Sequence, residues 1–435
     1  MRKQIITTIC ALAGAALTLA PAQTALQADA LTQPRLYDLE EVLTPVWEGD
    51  ICYQESVLPV ADGGNDVIIP LLYPATEILK VQNAGLTVTY RAGSDYDILD
   101  GKLVVFGRGR IPIMSQTEFS PSAGQFPNLE DGGYLCFQEG SYFHDRQLVV
   151  TYKHEGKYDG YVPESKAELL PNLQQKLQKG ESLDMFVLGD SISAGANSSG
   201  FSEIFTSPYM PIYPQLFADG LKQKYGLKTV NVYNHSVGGK NSAWGVNEIE
   251  NALSSHENVD LAVLAFGMND GNLSPDAFNS NVSKMINAVN TKFPDAEILL
   301  VATMLPNPKS SYAQLQGLFH ISMVEDLQTN GVAVADVTAV HESLLARKRY
   351  ADMTGNNINH PNDYLARVYA QTLLTTVGKE EKLPNDTATE TNSGSTTPQK
   401  QGCNSVASGT LCAPLTLALW LAISNNIRRK KSEEN

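Results

Sequence analysis

Asp184-Met185-Phe186-Val187-Leu188-Gly189-Asp190-Ser191-Ile192-Ser193 decides how the second half of this chain folds. The apolar run Met185 to Leu188, stopped by the turn residues Gly189 and Asp190, reads as a central strand of a parallel sheet buried on both faces. Ligands collect at the carboxyl ends of such strands. Ser191 sits on the turn where this strand ends and is the candidate nucleophile. Gly-Asp-Ser is also ordinary turn chemistry, so its weight rests on whether the downstream residues supply the rest of a hydrolase.

Outward from this stretch the texture repeats. Strands are expected at Asp184 to Leu188, Thr229 to Tyr233, Leu261 to Phe266, Glu297 to Val301 and Val332 to Val337, with amphipathic helices such as Tyr213 to Tyr225 and Pro275 to Lys292 between them. Alternating strands and helices with apolar strands imply a parallel sheet covered by helices on both faces, an α/β/α three-layer domain over residues 181–378. Upstream, residues 31–158 carry strand runs such as Leu86 to Tyr90, Lys102 to Phe106 and Gln147 to Tyr152, broken by Asp100-Gly101 and Asp131-Gly132-Gly133. Short strands with frequent turns predict a β-rich, sandwich-like domain, joined to the α/β part by a connecting segment over 159–180.

The ends of the chain differ from both. Arg2 and Lys3 precede an apolar run from Ile5 to about Ala20, and Ala28-Asp29-Ala30 offers small residues for cleavage, so residues 1–30 read as a secretory signal peptide. Residues 379–404 are polar and low in complexity, a composition that cannot bury a core. A mostly apolar segment over 405–427 is expected to anchor the chain in a membrane, with the basic tail 428–435, which holds Arg428-Arg429-Lys430-Lys431, on the cytoplasmic side. This layout resembles the surface-attachment tails of Gram-positive bacterial proteins. Leu383-Pro384-Asn385-Asp386-Thr387 departs from their Leu-Pro-x-Thr-Gly motif, so membrane anchoring is expected rather than covalent attachment. The formal net charge is −15, and loss of residues 1–30 makes it one unit more negative; such a surface repels polyanions and argues against nucleic-acid binding. Cys52 and Cys136 either pair after export or remain buried thiols.

Three further clusters fall where the sheet would present them: Asn234-His235-Ser236-Val237-Gly238-Gly239-Lys240 after the second strand, Gly267-Met268-Asn269-Asp270 after the third, and Asn359-His360-Pro361-Asn362 near the C-terminus. With these the chain resembles the SGNH hydrolases, the GDSL esterase family, whose serine, glycine, asparagine and histidine are matched in order by Ser191, Gly239, Asn269 and His360. The resemblance covers roughly residues 181–377. It implies a flavodoxin-like α/β/α hydrolase in which Ser191 attacks an ester, His360 takes and returns the proton, and an oxyanion hole forms from the N–H groups of Ser191 and Gly239 and the side-chain amide of Asn269. It implies no metal or organic cofactor.

The family places an aspartate three residues before the histidine, where this chain has Asn357. An amide oxygen can still accept the imidazole N–H if it faces the ring, so Asn357 is the expected orienting residue. A backbone carbonyl of the same segment is the alternative acceptor, and Asp352 and Asp363 are alternative sources of charge. Trp244, near the second cluster, is the candidate wall for stacking on a sugar ring; His235 borders the same turn. The function expected is a secreted, surface-tethered serine esterase that removes acetyl or other short acyl groups from carbohydrate. A lipid esterase, or a carbohydrate-binding surface protein with a degenerate hydrolase domain, are the alternatives.

Overall fold

The structure is a computed structural model that describes residues 35–201 and 204–379. The expected signal peptide, the linker beyond Lys379, the anchor segment and the basic tail lie outside the described residues.

Five parallel strands form the centre of the C-terminal half: β9 (Leu183–Gly189), β10 (Val230–Asn234), β11 (Leu261–Ala265), β12 (Glu297–Ala302) and β13 (Val332–Asp336), in the order β10-β9-β11-β12-β13. Their side chains alternate between two apolar cores. Met185, Val187, Val263, Leu299 and Val301 join one, whereas Phe186, Leu188, Leu264, Ile298 and Leu300 join the other. Helices Tyr213–Tyr225, Val337–Leu345 and Asp363–Val377 cover the first face through residues such as Phe217, Val340 and Tyr369. Helices Ser242–Ser254, Pro275–Lys292 and Phe319–Asp326 cover the second through Leu253, Met285 and Phe319. Each fully buried Leu or Phe in these layers contributes about 1.5–3 kcal/mol. The strands and helices expected in this half are found within about two residues of their expected bounds, whereas the run Leu86 to Tyr90 in the first half, expected as a strand, makes only an isolated bridge from Thr89 to Gln82.

The chain enters this sheet at β9, crosses to β10 on one side and then builds β11 to β13 on the other. The reversal opens a crevice beyond the carboxyl end of β9, the place where open α/β sheets bind ligands. Ser191 stands there.

The preceding residues form antiparallel sheets. Strands β1 (Ile51–Val57), β3 (Ala75–Asn83) and β8 (Leu148–His154) pair in the order β1-β8-β3; β2 (Val67–Ile69), β4 (Tyr96–Leu99) and β5 (Lys102–Val105) pair as β2-β5-β4; β6 (Phe126–Pro127) and β7 (Tyr134–Leu135) make a ribbon. Their inward residues, among them Val57, Val81, Leu148 and Tyr152, belong to the same core as Tyr213 and Leu365 of the α/β part. Polar ties reinforce the seam. Glu55, fully buried, accepts from the Leu72 N–H at 3.0 Å and the Tyr152 hydroxyl at 2.6 Å and pairs with the equally buried Lys348. Arg367 donates to the carbonyls of Tyr53 and Gln54 at 3.2 and 3.0 Å, and the Leu58 N–H donates to Asp352 at 2.8 Å. Cys52 and Cys136 are free thiols buried in separate cores. Burial, followed by the Glu55 carboxylate, pushes the Cys52 thiol well above the ordinary range.

Candidate active site

β9 delivers Ser191 through a turn that only glycine permits. A Cβ on Gly189 would lie 2.5 Å from the Ala265 carbonyl oxygen and 2.6 Å from Ser193 Oγ, inside contact distance. Asp190 then caps the short helix Ser191–Ala194, its Oδ1 accepting the Ile192 N–H at 2.9 Å. The Asp190 carboxyl is fully buried, and burial pushes it up to about 7, with the nearby Asp270 carboxylate acting in the same direction.

Ser191 Oγ lies 2.9 Å from His360 Nε2, the contact a base needs to take the hydroxyl proton. On the other side of the ring, His360 Nδ1 lies 2.7 Å from Asn197 Oδ1. The amide of Asn197 is oriented by its own donors, since Nδ2 donates to the carbonyls of Gly140 at 3.1 Å and Gly355 at 3.3 Å. The oxygen is thereby turned to the imidazole. With Nδ1 as donor to Asn197, Nε2 is left as the acceptor for the serine proton.

Asn356 shapes the loop that carries the histidine. Its Oδ1 accepts the N–H groups of Ile358, Asn359 and His360 at 3.0, 3.0 and 3.1 Å. Its Nδ2 donates to Asn359 Oδ1 at 2.9 Å and to Glu139 Oε1 at 3.0 Å.

Asn357 does not orient the ring, and this corrects the expectation from sequence. The residue adopts φ +66°, in the left-handed region. Its Nδ2 donates to the Cys136 carbonyl at 3.1 Å, and its Oδ1 and carbonyl both receive the Asn307 amide, at 3.3 and 2.8 Å. Asn357 is buried structural glue. The alternative charges are also committed elsewhere: Asp352 pairs with Arg349 and the Leu58 N–H, and Asp363 Oδ1 accepts the Ser199 N–H at 2.8 Å.

Ser191, Gly239 and Asn269, the residues expected to hold an oxyanion, line the same cleft. Gly239 has φ +72°, a conformation that strains other residues. Among the described residues, the N–H groups of Ser191 and Gly239 have no protein acceptor. Asn269 Nδ2 spends one hydrogen on the Lys240 carbonyl at 2.8 Å, and its Oδ1 accepts the Tyr312 hydroxyl at 2.5 Å. The loop is further tethered by Asp270, which accepts the N–H and hydroxyl of Ser242 at 3.0 and 2.6 Å. Ser191, His360, Gly239, Asn269, Tyr312 and Trp244 all line one cleft of about 850 Å³. His235 borders it too, but its Nε2 meets His256 Nε2 at 2.8 Å and its ring stacks on Phe186. Burial lowers both histidines, and the pair packs against Phe186 at the cleft wall.

Asn197, Asn356, Tyr312 and Glu139 are site residues that the sequence reading missed. Asn197, six residues after the serine, had a signal in the Gly-Ala-Asn turn that closes the short helix; the remaining three had none.

Residues 187–368 match the GDSL-like Lipase/Acylhydrolase family. The C-terminal half of the chain is therefore an acylhydrolase domain of SGNH type, carrying a β-rich region before it. The chain is also similar to an uncharacterized protein of Mycoplasma pneumoniae (strain ATCC 29342 / M129), 23% identical over 155 residues, 34% of this chain and 16% of that protein. It spans about a sixth of that relative. Among solved structures, a two-domain esterase active on acetylated mannans, co-crystallized with mannopentaose, is similar at 21% identity and a TM-score of 0.39, over 48% of this chain and 53% of that one. An acetylxylan esterase from Geobacillus stearothermophilus is similar at 14% identity and a TM-score of 0.38, over 46% of this chain and 95% of that one.

Proposed function

We propose that this SGNH esterase removes acetyl and similarly short acyl groups from a hydroxyl-rich carbohydrate. The observation that carries this reading is the lining of the cleft around Ser191. Glu139, Asn234, Ser236, Asn269, Tyr312 and Asn359 line it together with Ala194, Ala196, Phe201, Val237 and Trp244, so polar and apolar surface are mixed there. A long acyl chain needs a continuous apolar channel, and a sugar needs dispersed hydrogen-bonding groups with an aromatic wall. Trp244 offers that wall.

In the reaction, Ser191 Oγ adds to the ester carbonyl carbon as its proton passes to His360 Nε2. The carbonyl oxygen becomes an oxyanion that receives the N–H groups of Ser191 and Gly239 and the free hydrogen of Asn269 Nδ2. Collapse expels the sugar alkoxide, which takes the proton from Nε2 and leaves an acyl-Ser191. Water then attacks this ester, giving its proton to Nε2, and collapse expels the Ser191 alkoxide, which takes that proton back from Nε2 as the acid is released.

Hydrolysis of p-nitrophenyl acetate, butyrate and octanoate by the protein and by Ser191→Ala tests the reading. Rates that fall with chain length and vanish with Ser191 support it; a preference for octanoate would move the assignment to a lipid esterase. Export and attachment at the cell surface are part of the proposal, supported by the residues at 1–30 and 405–435. Fractionation of cells with and without residues 405–435 tests them, membrane retention only with the segment being the expected result.

A further inference from the structure

The hydrolase half lacks a carboxylate at the usual place beside its histidine, and Asn197, which accepts from the ring, is neutral. An amide oxygen fixes the direction of the imidazole but supplies no full charge to the imidazolium that forms when Ser191 loses its proton. The β-rich region brings one. Glu139, in the segment between β7 and β8, places Oε2 3.5 Å from His360 Nδ1. Among the described residues it is the one carboxylate in ion-pair reach of that ring; the other polar neighbours, Ser191, Asn197 and Asn356, are neutral.

The carboxylate is held there rather than left to wander. Asn356 Nδ2 binds Glu139 Oε1 at 3.0 Å, with the Asn356 amide itself locked by three backbone N–H groups. Next along the chain, the Gly140 carbonyl accepts from Asn197. The whole segment is pinned to the hydrolase half, because Asn357 donates to the Cys136 carbonyl and Gln147 Nε2 donates to the carbonyls of Ala351 and Thr354, each at 2.9 Å. Burial raises the Glu139 carboxyl, but His360 and the amides of Asn356 and Asn197 outweigh it and leave the group below the ordinary carboxylate range.

We propose that Glu139 is the missing third member of this site: Asn197 orients the imidazole, Glu139 neutralises the imidazolium, and the β-rich region is thereby part of the catalytic unit. Glu139 acts through His360 and is a positioning residue. This inference rests on the esterase reading, and the two can fail separately.

The test compares kcat, KM and the pH profile on p-nitrophenyl acetate for the full protein, Glu139→Gln, Glu139→Asp and Ser191→Ala. Direct replacement of a triad aspartate by asparagine costs about 10⁴-fold; for a charge acting beside a neutral orienter, Glu139→Gln is expected to lose about 10- to 100-fold in kcat. KM should change little, and the acid limb of the kcat/KM profile should move to lower pH because the cationic ring has lost its partner. Glu139→Asp should recover part of the rate. The Glu139 side chain is 52% exposed, so the melting temperature should hold, which separates this outcome from general damage. Wild-type kcat and an unmoved acid limb in Glu139→Gln, with Ser191→Ala inactive, would overturn the role of Glu139 alone. Full activity in Ser191→Ala would overturn the esterase reading and this inference with it.

Discussion

Removing the Tyr312 hydroxyl asks whether the oxyanion donor is aimed by its neighbour. Asn269 Oδ1 accepts from Tyr312 at 2.5 Å and Nδ2 gives one hydrogen to Lys240 at 2.8 Å, so both ends of the amide are fixed and the second Nδ2 hydrogen has a single direction. Loss of an oxyanion donor typically costs about 100- to 1000-fold in kcat, which sets the expectation for Asn269→Ala. Tyr312→Phe keeps the ring in the cleft and removes one hydrogen bond worth about 1 kcal/mol, which is about fivefold in kcat. The two effects travel through the same amide, so the double variant should be no slower than Asn269→Ala, giving a coupling of about 1 kcal/mol in a double-mutant cycle. Single-turnover hydrolysis of p-nitrophenyl acetate reads all four proteins. Independent losses that multiply in the double variant would refute the aiming role and leave Tyr312 as a cleft wall.

The buried Glu55–Lys348 pair should be costly to break: Lys348→Met leaves Glu55 without its cation and is expected to destabilise the fold by about 3–5 kcal/mol, read by urea denaturation. Asp190 gives a pH signature. Its folded carboxyl titrates near 7, above the ordinary aspartate value of 3.8, so the native state holds the proton more tightly; that stabilisation is full below about pH 4 and is lost as pH rises through about 7. Asp190→Asn keeps the cap acceptor for Ile192 and should flatten the fall in melting temperature between pH 5 and 8, whereas an unchanged slope would place the titration elsewhere. Asn357→Gly accommodates φ +66° but loses the bonds to Cys136 and Asn307. It should lower stability by about 1–3 kcal/mol and leave kcat within a few fold; a collapse of kcat at intact stability would restore Asn357 to the catalytic role expected from sequence.

What could be read from the sequence was set by range. Met185 to Leu188 is a strand because four apolar residues meet a Gly-Asp turn, and Pro275–Lys292 is a helix because Ser274 caps it and its apolar residues recur at helical spacing. Ser191, Gly239, Asn269 and His360 are each attached to such a local element, so placing the elements placed the residues. Asn357 shows the limit of counting along the chain. Three residues before the histidine is the right distance only if the loop is regular, and its left-handed backbone turns the side chain toward Cys136. Asn197 takes that place from a different loop, and Glu139 comes from 221 residues before His360. No periodicity links such partners; Asn197 reaches the ring from the loop after the helix Ser191–Ala194, and the packing of the β-rich segment against the hydrolase half brings Glu139 there. The same packing makes one core of segments that read in sequence as two textures.

Covalent labelling with a fluorophosphonate, with the modified peptide identified by mass spectrometry, reads directly whether Ser191 is activated. One adduct per chain on the peptide containing Ser191, absent in Ser191→Ala and greatly slowed in His360→Ala, is the result expected of a serine activated by its histidine. An unlabelled Ser191 in the folded protein would contradict it.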